Sequence, residues 1–190
     1  MGQAAKALGG PRALAHCFAR PDGENQPPDS SCRWMKVGGN VNDEQELRLL
    51  YVSPALGEWI TNTLPTLSTD FEDSLPPLDQ FDAYGHIYAS GLPLVFDRQF
   101  KVFQPRAVEP LGDGVWYLKT TDIRVFGWFW RRDMFIGVVA DTAHRCKFYD
   151  LYQGYRTVNV ARFRADLPLD EPRFIPGTNP DDVLSNYDLA

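Results

Sequence analysis

The sequence predicts an α+β domain in which two helices pack on one face of an antiparallel sheet. Two segments in the first half of the chain carry apolar residues at helical spacing. Three runs of β-branched and aromatic residues follow in the second half, joined by very short polar links. Hydrophobic residues make up 44% of the 190 residues and charged residues 23%, a composition that is typical of a protein with a packed core.

The first strand and the first helix are predicted to be adjacent. Side chains alternate in character from Glu46 to Val52, which indicates a strand. Ser53 offers an N-cap hydroxyl, Pro54 suits the first helical position, and Pro65 ends the helix. The apolar face of this helix consists of Leu56, Trp59, Ile60 and Leu64.

A second helix is predicted to start near Pro76 and Pro77 and to end at Gly91, because proline is favoured in the first turn of a helix and glycine just after its end. Its apolar residues are Leu78, Phe81, Tyr84, Ile87 and Tyr88. Each helix has one apolar face that needs a surface to cover. We expect the sheet to provide that surface, with Trp59 and Ile60 buried against it.

The three later runs predict a three-stranded antiparallel meander, with strands at Val115 to Thr120, Ile123 to Trp130 and Met134 to Asp141. Successive side chains of a strand point to opposite faces. One face of the middle strand carries Ile123, Val125, Gly127 and Phe129, and the other carries Arg124, Phe126, Trp128 and Trp130. We expect one face to pack on the two helices and the other to carry the arginine.

The chain is predicted to have three parts. Residues 1–40 are expected to be a flexible tail, and whether residues 1–34 belong to the native protein is left open. Residues 41–164 hold the α+β domain. Residues 165–190 carry prolines at four-residue spacing and are expected to form an extended acidic arm without a regular helix. Because no apolar run approaches the roughly 20 residues of a membrane span and no leader pattern is visible, we expect a cytoplasmic protein with no membrane partner.

The net charge of −6 hides an uneven distribution. Between Lys119 and Arg164 the chain holds nine basic and four acidic residues, a local charge of +5. Acidic residues dominate from Asp43 to Ala83 and after Ala165. The basic segment favours a polyanionic partner such as RNA, whereas the acidic total argues against one.

A family resemblance rests on residues of the predicted meander. A leucine-glycine pair, Leu111 and Gly112, precedes an aromatic strand that ends in the basic Lys119, and Arg124 lies near the start of the next strand. In this pattern the stretch from Glu46 to Arg156 resembles the RelE, HigB and ParE superfamily of bacterial toxins and their phage- or plasmid-borne relatives. The resemblance implies the order strand, helix, helix and three-stranded meander.

The same resemblance implies a toxin-like endoribonuclease that cuts mRNA, often on the ribosome, by attack of the ribose 2′-hydroxyl without a metal or other cofactor. Arg124 and Lys119 match family positions and are the expected catalytic cations. Tyr149 and His144 are the expected proton carriers, with Tyr152 and Tyr155 as open alternatives. The residues expected to bind RNA are Arg131, Arg132, Arg145, Lys147 and Arg156.

Other interpretations stay open. A phage or mobile-element protein with this fold could be a non-enzymatic binding module for a host protein or a cognate antitoxin, or a structural virion component. Arg124 alone also fits an ordinary surface strand residue, and Phe126, Trp128 and Trp130 fit core packing. A metal site is not expected, because His16, Cys17 and Cys32 lack ligand spacing, and Cys146 is expected to be a plain thiol.

Overall fold

The computed structural model describes residues 35–37, 45–69, 71, 74–96, 107–167 and 172–189. Apart from residues 35–37, the predicted tail lies outside the described residues. The strands are β1 (Met35–Lys36), β2 (Leu49–Val52), β3 (Leu94–Phe96), β4 (Ala107–Gly112), β5 (Val115–Lys119), β6 (Ile123–Arg131), β7 (Met134–Thr142) and β8 (Tyr187–Leu189). The helices are α1 (Pro54–Asn62), a 3₁₀ turn (Leu64–Thr66), α2 (Pro77–Ala89), α3 (Ala143–Phe148), α4 (Tyr152–Gly154), a π-helix (Tyr155–Ala161), α5 (Arg162–Asp166) and α6 (Pro180–Val183). The predicted α+β class is confirmed.

All described strands belong to one sheet with the order β1-β2-β7-β6-β5-β4-β3-β8. Five longer strands, β2 and β4 to β7, form its centre, and the two- or three-residue strands extend its edges. The meander of β5, β6 and β7 is antiparallel as predicted. The sheet as a whole is mixed, however, because β2 pairs with β7 in parallel and β3 is parallel to both of its neighbours. The expected purely antiparallel sheet is therefore wrong.

The two predicted helices cover one face of the sheet. The Ser53 hydroxyl accepts a hydrogen bond from the Leu56 amide at 3.2 Å, and Pro54 occupies the first helical position of α1. Leu56 and Ile60 are buried in a core shared with Val125 and the other residues on that face of β6, and Trp59 packs partly buried at its edge. The predicted burial of this helix face is confirmed.

The opposite face is covered by a second helical layer, which we call the C-terminal layer and define as residues 143–166. Phe126 and Trp128 are fully buried in a separate core, together with Cys146 and Val160 from this layer. Exposing two large aromatic side chains on one strand face to water is unfavourable in free energy. Packing helices against this face is therefore favoured. The sequence interpretation placed no helices here, and the expected RelE-like arrangement is not confirmed.

The residues expected to form an extended arm take part in the fold where they are described. Asn179 caps the single turn of α6, which begins at Pro180, so proline spacing did not exclude helix here. Strand β8 then pairs with β3. The buried Arg48 ties this region to the sheet, because its Nη1 donates to the Leu92 carbonyl at 2.8 Å and its Nη2 to the Asn186 carbonyl.

Candidate nucleic-acid interface

Arg124, the expected catalytic arginine, is buried beneath the C-terminal layer with 3% of its surface exposed. Its Nη1 donates to the carbonyls of Thr120 at 2.6 Å and Ile123 at 2.9 Å. Across β5 and β6 it lies opposite Lys119, so the two expected cations are neighbours. The expectation that this sheet face presents Arg124 to solvent is wrong, because the C-terminal layer packs on the aromatic residues beside it and covers the arginine as well.

Lys119 is neutralised by a buried acid. Its Nζ lies 2.7 Å from Oε1 of Glu109, and the Tyr117 hydroxyl donates to the other oxygen of the same carboxylate. Burial, and then the negative charge of Glu109, raise the pKa of Tyr117 far above its usual value. The tyrosine therefore stays a donor, and Glu109 shares its charge between two partners on the strand next to it.

Asp141 joins the C-terminal layer to the sheet. It lies opposite Arg124 across β6 and β7, and its Oδ2 accepts from Arg145 Nε at 3.0 Å and from the Tyr155 hydroxyl at 2.6 Å. The pKa of Tyr155 is raised, mainly by burial and next by this hydrogen bond. Burial also raises the pKa of Tyr152, whose ring lies 5.5 Å from that of Tyr117. Both alternative proton carriers are therefore partly buried against the sheet face that carries Arg124.

An exposed surface of different character lies on α3. We call it the α3 surface and define it by His144, Arg145, Lys147, Phe148 and Tyr149. Thr142 starts the helix by accepting a hydrogen bond from the Arg145 amide at 3.2 Å. Because Cys146 faces the core, these residues on either side of it face outward. The aromatic pair is unusually exposed, with 71% of Phe148 and 59% of Tyr149 accessible.

The rings and cations of the α3 surface are arranged side by side. The rings of His144 and Phe148 are nearly parallel, 5.8 Å apart at 12°, and Tyr149 meets Phe148 edge-on at 4.8 Å. The Arg145 guanidinium lies 5.7 Å from the centre of the Tyr149 ring. Asp141 raises the pKa of Arg145 through its hydrogen bond and charge. Within the described part of the chain, Lys147 has no hydrogen bond or ion pair.

The remaining expected RNA-binding residues lie elsewhere. Arg131 and Arg132 are at the turn between β6 and β7, where they donate to the carbonyls of Pro172 and Leu184. Strand β7 has nine residues and separates that turn from α3 by roughly 30 Å. Arg156 pairs with Asp113 of the turn between β4 and β5. The structure thus brings together His144, Arg145, Lys147 and Tyr149 but not the whole predicted set.

The structure adds Phe148 to the predicted residues. A phenylalanine next to a tyrosine in a basic segment is the only sequence signal that could have indicated it. Cys146 is buried, and burial raises the pKa of its thiol to about 12, which makes it a poor nucleophile. Among the described residues no group of three or more His, Cys, Asp or Glu side chains could hold a metal ion. The described residues also include no helix that is long and apolar enough to cross a membrane.

The resemblance to RelE, HigB and ParE toxins depends on the residues quoted above. No protein-family model, no curated protein and no solved structure matches this chain.

Proposed function

We propose that this protein is a toxin-like, RNA-directed protein of the cytoplasm that binds single-stranded RNA through the α3 surface. The observation that carries the proposal is the exposed pair Phe148 and Tyr149 beside Arg145 and Lys147. Aromatic faces stack on unpaired bases, while neighbouring cations contact the phosphates. A pair of exposed aromatic rings also costs solubility, so its presence favours a binding role.

The charge of the surrounding layer supports a polyanionic ligand. Residues 143–166 contain five basic and two acidic residues, whereas the whole chain has a net charge of −6. This layer therefore carries a net positive charge within an acidic chain. This separation reconciles an acidic protein with an RNA partner, because the acidic segments lie mainly in other parts of the sequence.

The proposal includes metal-independent RNA cleavage at the α3 surface. In this reaction the ribose 2′-oxygen bonds to the adjacent phosphorus as its proton passes to a base, and the bond to the 5′-oxygen breaks as that oxygen takes a proton from an acid. His144 and Tyr149 are the two side chains of the surface that could exchange those protons. Arg145 and Lys147 would stabilise the phosphorane charge. Arg124, which is buried, and Lys119, which is partly buried and paired with Glu109, would act by positioning the layer and not by touching the RNA.

The binding proposal is tested by fluorescence anisotropy with a labelled 12-nucleotide unstructured RNA. Each stacked base contributes about 1–3 kcal/mol, so Phe148→Ala and Tyr149→Ala should each weaken binding at least fivefold. Leu75→Ala is the matched control, because it removes an equally exposed apolar side chain beside α2. Equal affinity of all four proteins, or no binding at low salt, would overturn the proposal.

Cleavage is tested separately with end-labelled RNA in the presence of a chelator. We expect His144→Ala to lower the cleavage rate about 100-fold and Tyr149→Phe to lower it while keeping the stacking ring and the affinity. A substrate with a single 2′-deoxy residue should resist cleavage at that position. An intact protein that binds RNA but never cuts it would leave the non-enzymatic binding module. Binding of a host protein or antitoxin through the same residues, without any RNA affinity, would favour the protein-partner interpretation.

A further inference from the structure

A groove lies between the start of α1 and the C-terminal layer, with a volume of about 580 Å³. Its walls are largely apolar and come from four elements: Pro54 and Ala55 of α1, Val138 and Val139 of β7, Val158 of the π-helix, and Phe163 of α5. This volume lies within the range of small-molecule sites, which are mostly apolar with a few polar groups. No residue of the α3 surface lines the groove, so it is a separate feature.

Two backbone irregularities create the groove. The pairing of β6 with β7 shifts between Phe126 and Gly127, which leaves Val138 as an extra residue in β7. As a result the consecutive Val138 and Val139 both line the floor, although neighbours in a regular strand face opposite sides. The π-helix forms the facing wall and holds Val158 with 63% of its surface exposed. Bulges and π-helices both occur frequently at functional sites.

The charges of the rim suggest which ligand fits. Arg162 and Asp166 line the groove one helical turn apart, and neither has a hydrogen bond or ion pair among the described residues. The first turn of α1 has no acidic residue, and Pro54 and Ala55 of that turn line the groove, so the positive end of the helix dipole lies at this side, with one amide capped by Ser53. Two positive features oppose the one carboxylate of Asp166. A ligand with an apolar body and an anionic head is complementary to this arrangement.

We infer that the groove binds a small amphipathic carboxylate, with the aliphatic chain along the valines and the carboxylate at Arg162. An arginine fork pairs with a carboxylate through two parallel hydrogen bonds, which defines the orientation of the ligand. The inference is independent of RNA binding, because none of its residues belongs to the α3 surface.

The test is an NMR titration of the full, ¹⁵N-labelled chain with octanoate, with 1-octanol and octylammonium as the uncharged and cationic probes. Octanoate should shift the amides of Val138, Val139 and Val158 in a saturable manner. Arg162→Gln should weaken octanoate binding at least tenfold and leave octanol binding unchanged. Arg131→Gln, at the distant turn between β6 and β7, is the matched control and should bind like the parent protein.

A blocking variant checks the location. Ala55 is exposed at the groove wall, so Ala55→Phe should fold normally and prevent octanoate binding. Unchanged binding to that variant would place the ligand elsewhere and overturn the inference. A preference for octylammonium would overturn the assignment of the charge, and equal binding of octanol and octanoate with no effect of Arg162→Gln would overturn the anionic class. The absence of any saturable shift would show that the groove is not a site.

Discussion

Arg124→Ala distinguishes a buried structural arginine from an exposed catalytic one. In the folded protein Arg124 makes two charged hydrogen bonds to the carbonyls of Thr120 and Ile123, and it faces Asp141 across the sheet. A net contribution of about 1.5 kcal/mol for each charged hydrogen bond gives a loss of about 3 kcal/mol of unfolding free energy. The substitution also leaves the two buried carbonyl oxygens without this donor, which lowers the unfolding free energy further. For a chain of this size, such a loss lowers the melting temperature by roughly 6–12 °C.

Urea unfolding, followed by tryptophan fluorescence and repeated by calorimetry, measures this loss. Arg131→Ala is the matched control, because Arg131 is exposed at the turn and its hydrogen bond to the Pro172 carbonyl lies at the surface, so its removal should change stability by no more than about 0.5 kcal/mol. Arg124→Lys should recover only part of the loss, since an ammonium cannot reproduce the planar fork. If Arg124→Ala kept full stability and yet lost RNA cleavage, the buried assignment would be refuted and the sequence-based expectation of a catalytic surface arginine would stand.

Three further predictions use other features of the structure. RNA affinity should fall steeply between 50 and 200 mM salt, because each neutralised phosphate releases about one counterion, and a flat salt response would contradict phosphate contact. Cys146 should resist alkylation at pH 8 in the folded protein and react on unfolding, because burial raises the pKa of its thiol to about 12. Rapid labelling of the native chain would disprove the burial of this thiol. The free energy of unfolding should decrease above about pH 10, because Tyr84, Tyr117 and Tyr155 have pKa values raised above that of an unfolded tyrosine. The stability that these protonated tyrosines contribute is complete below about pH 10 and is lost as the pH rises further. Constant unfolding midpoints from pH 9 to 11 would refute this prediction.

Local signals were sufficient to predict α1, α2 and the meander. Ser53 and Pro54 mark a helix start by their own chemistry, and Gly91 ends α2 with a φ of +67°, a backbone conformation that side chains other than glycine rarely adopt. Alternation along β6 also assigned Val125 and Phe126 to opposite faces correctly. These features depend only on neighbours in the sequence.

The errors concern features that depend on distant partners. Nothing in Leu49–Val52 specifies that it pairs in parallel with β7, because both edges of a short strand offer the same backbone groups. Residues 143–166 were interpreted as a basic surface segment, so the residues of this segment that pack against the sheet, Cys146, Tyr155 and Val160, were not recognised. Phe126 and Trp128 follow Arg124 on the same face of β6. Because exposing these two large aromatic side chains to water is unfavourable, they indicated that this face, including the arginine, would be buried.

The structure therefore places one part of the predicted site beneath the C-terminal layer and the other part at the surface. Arg124 and Lys119 were assigned from a position in a pattern, and a pattern carries no information about what covers the strand. His144, Arg145, Lys147 and Tyr149 lie on one six-residue helix and its cap, so their proximity follows from sequence separation alone. Short-range constellations were thus more predictable than long-range ones.

The two edges of the sheet have a consequence for self-association. In the part of the chain that the structure describes, both outermost strands are very short: β1 has two residues and β8 has three. A short edge offers few unpaired backbone groups, so it is a poor template for adding a strand from another molecule. Removing β1 would uncover the four-residue β2 and its row of amides and carbonyls beside the longest strands of the sheet. A shortened chain that begins after Lys36 should consequently form intermolecular sheet aggregates more readily than the full chain.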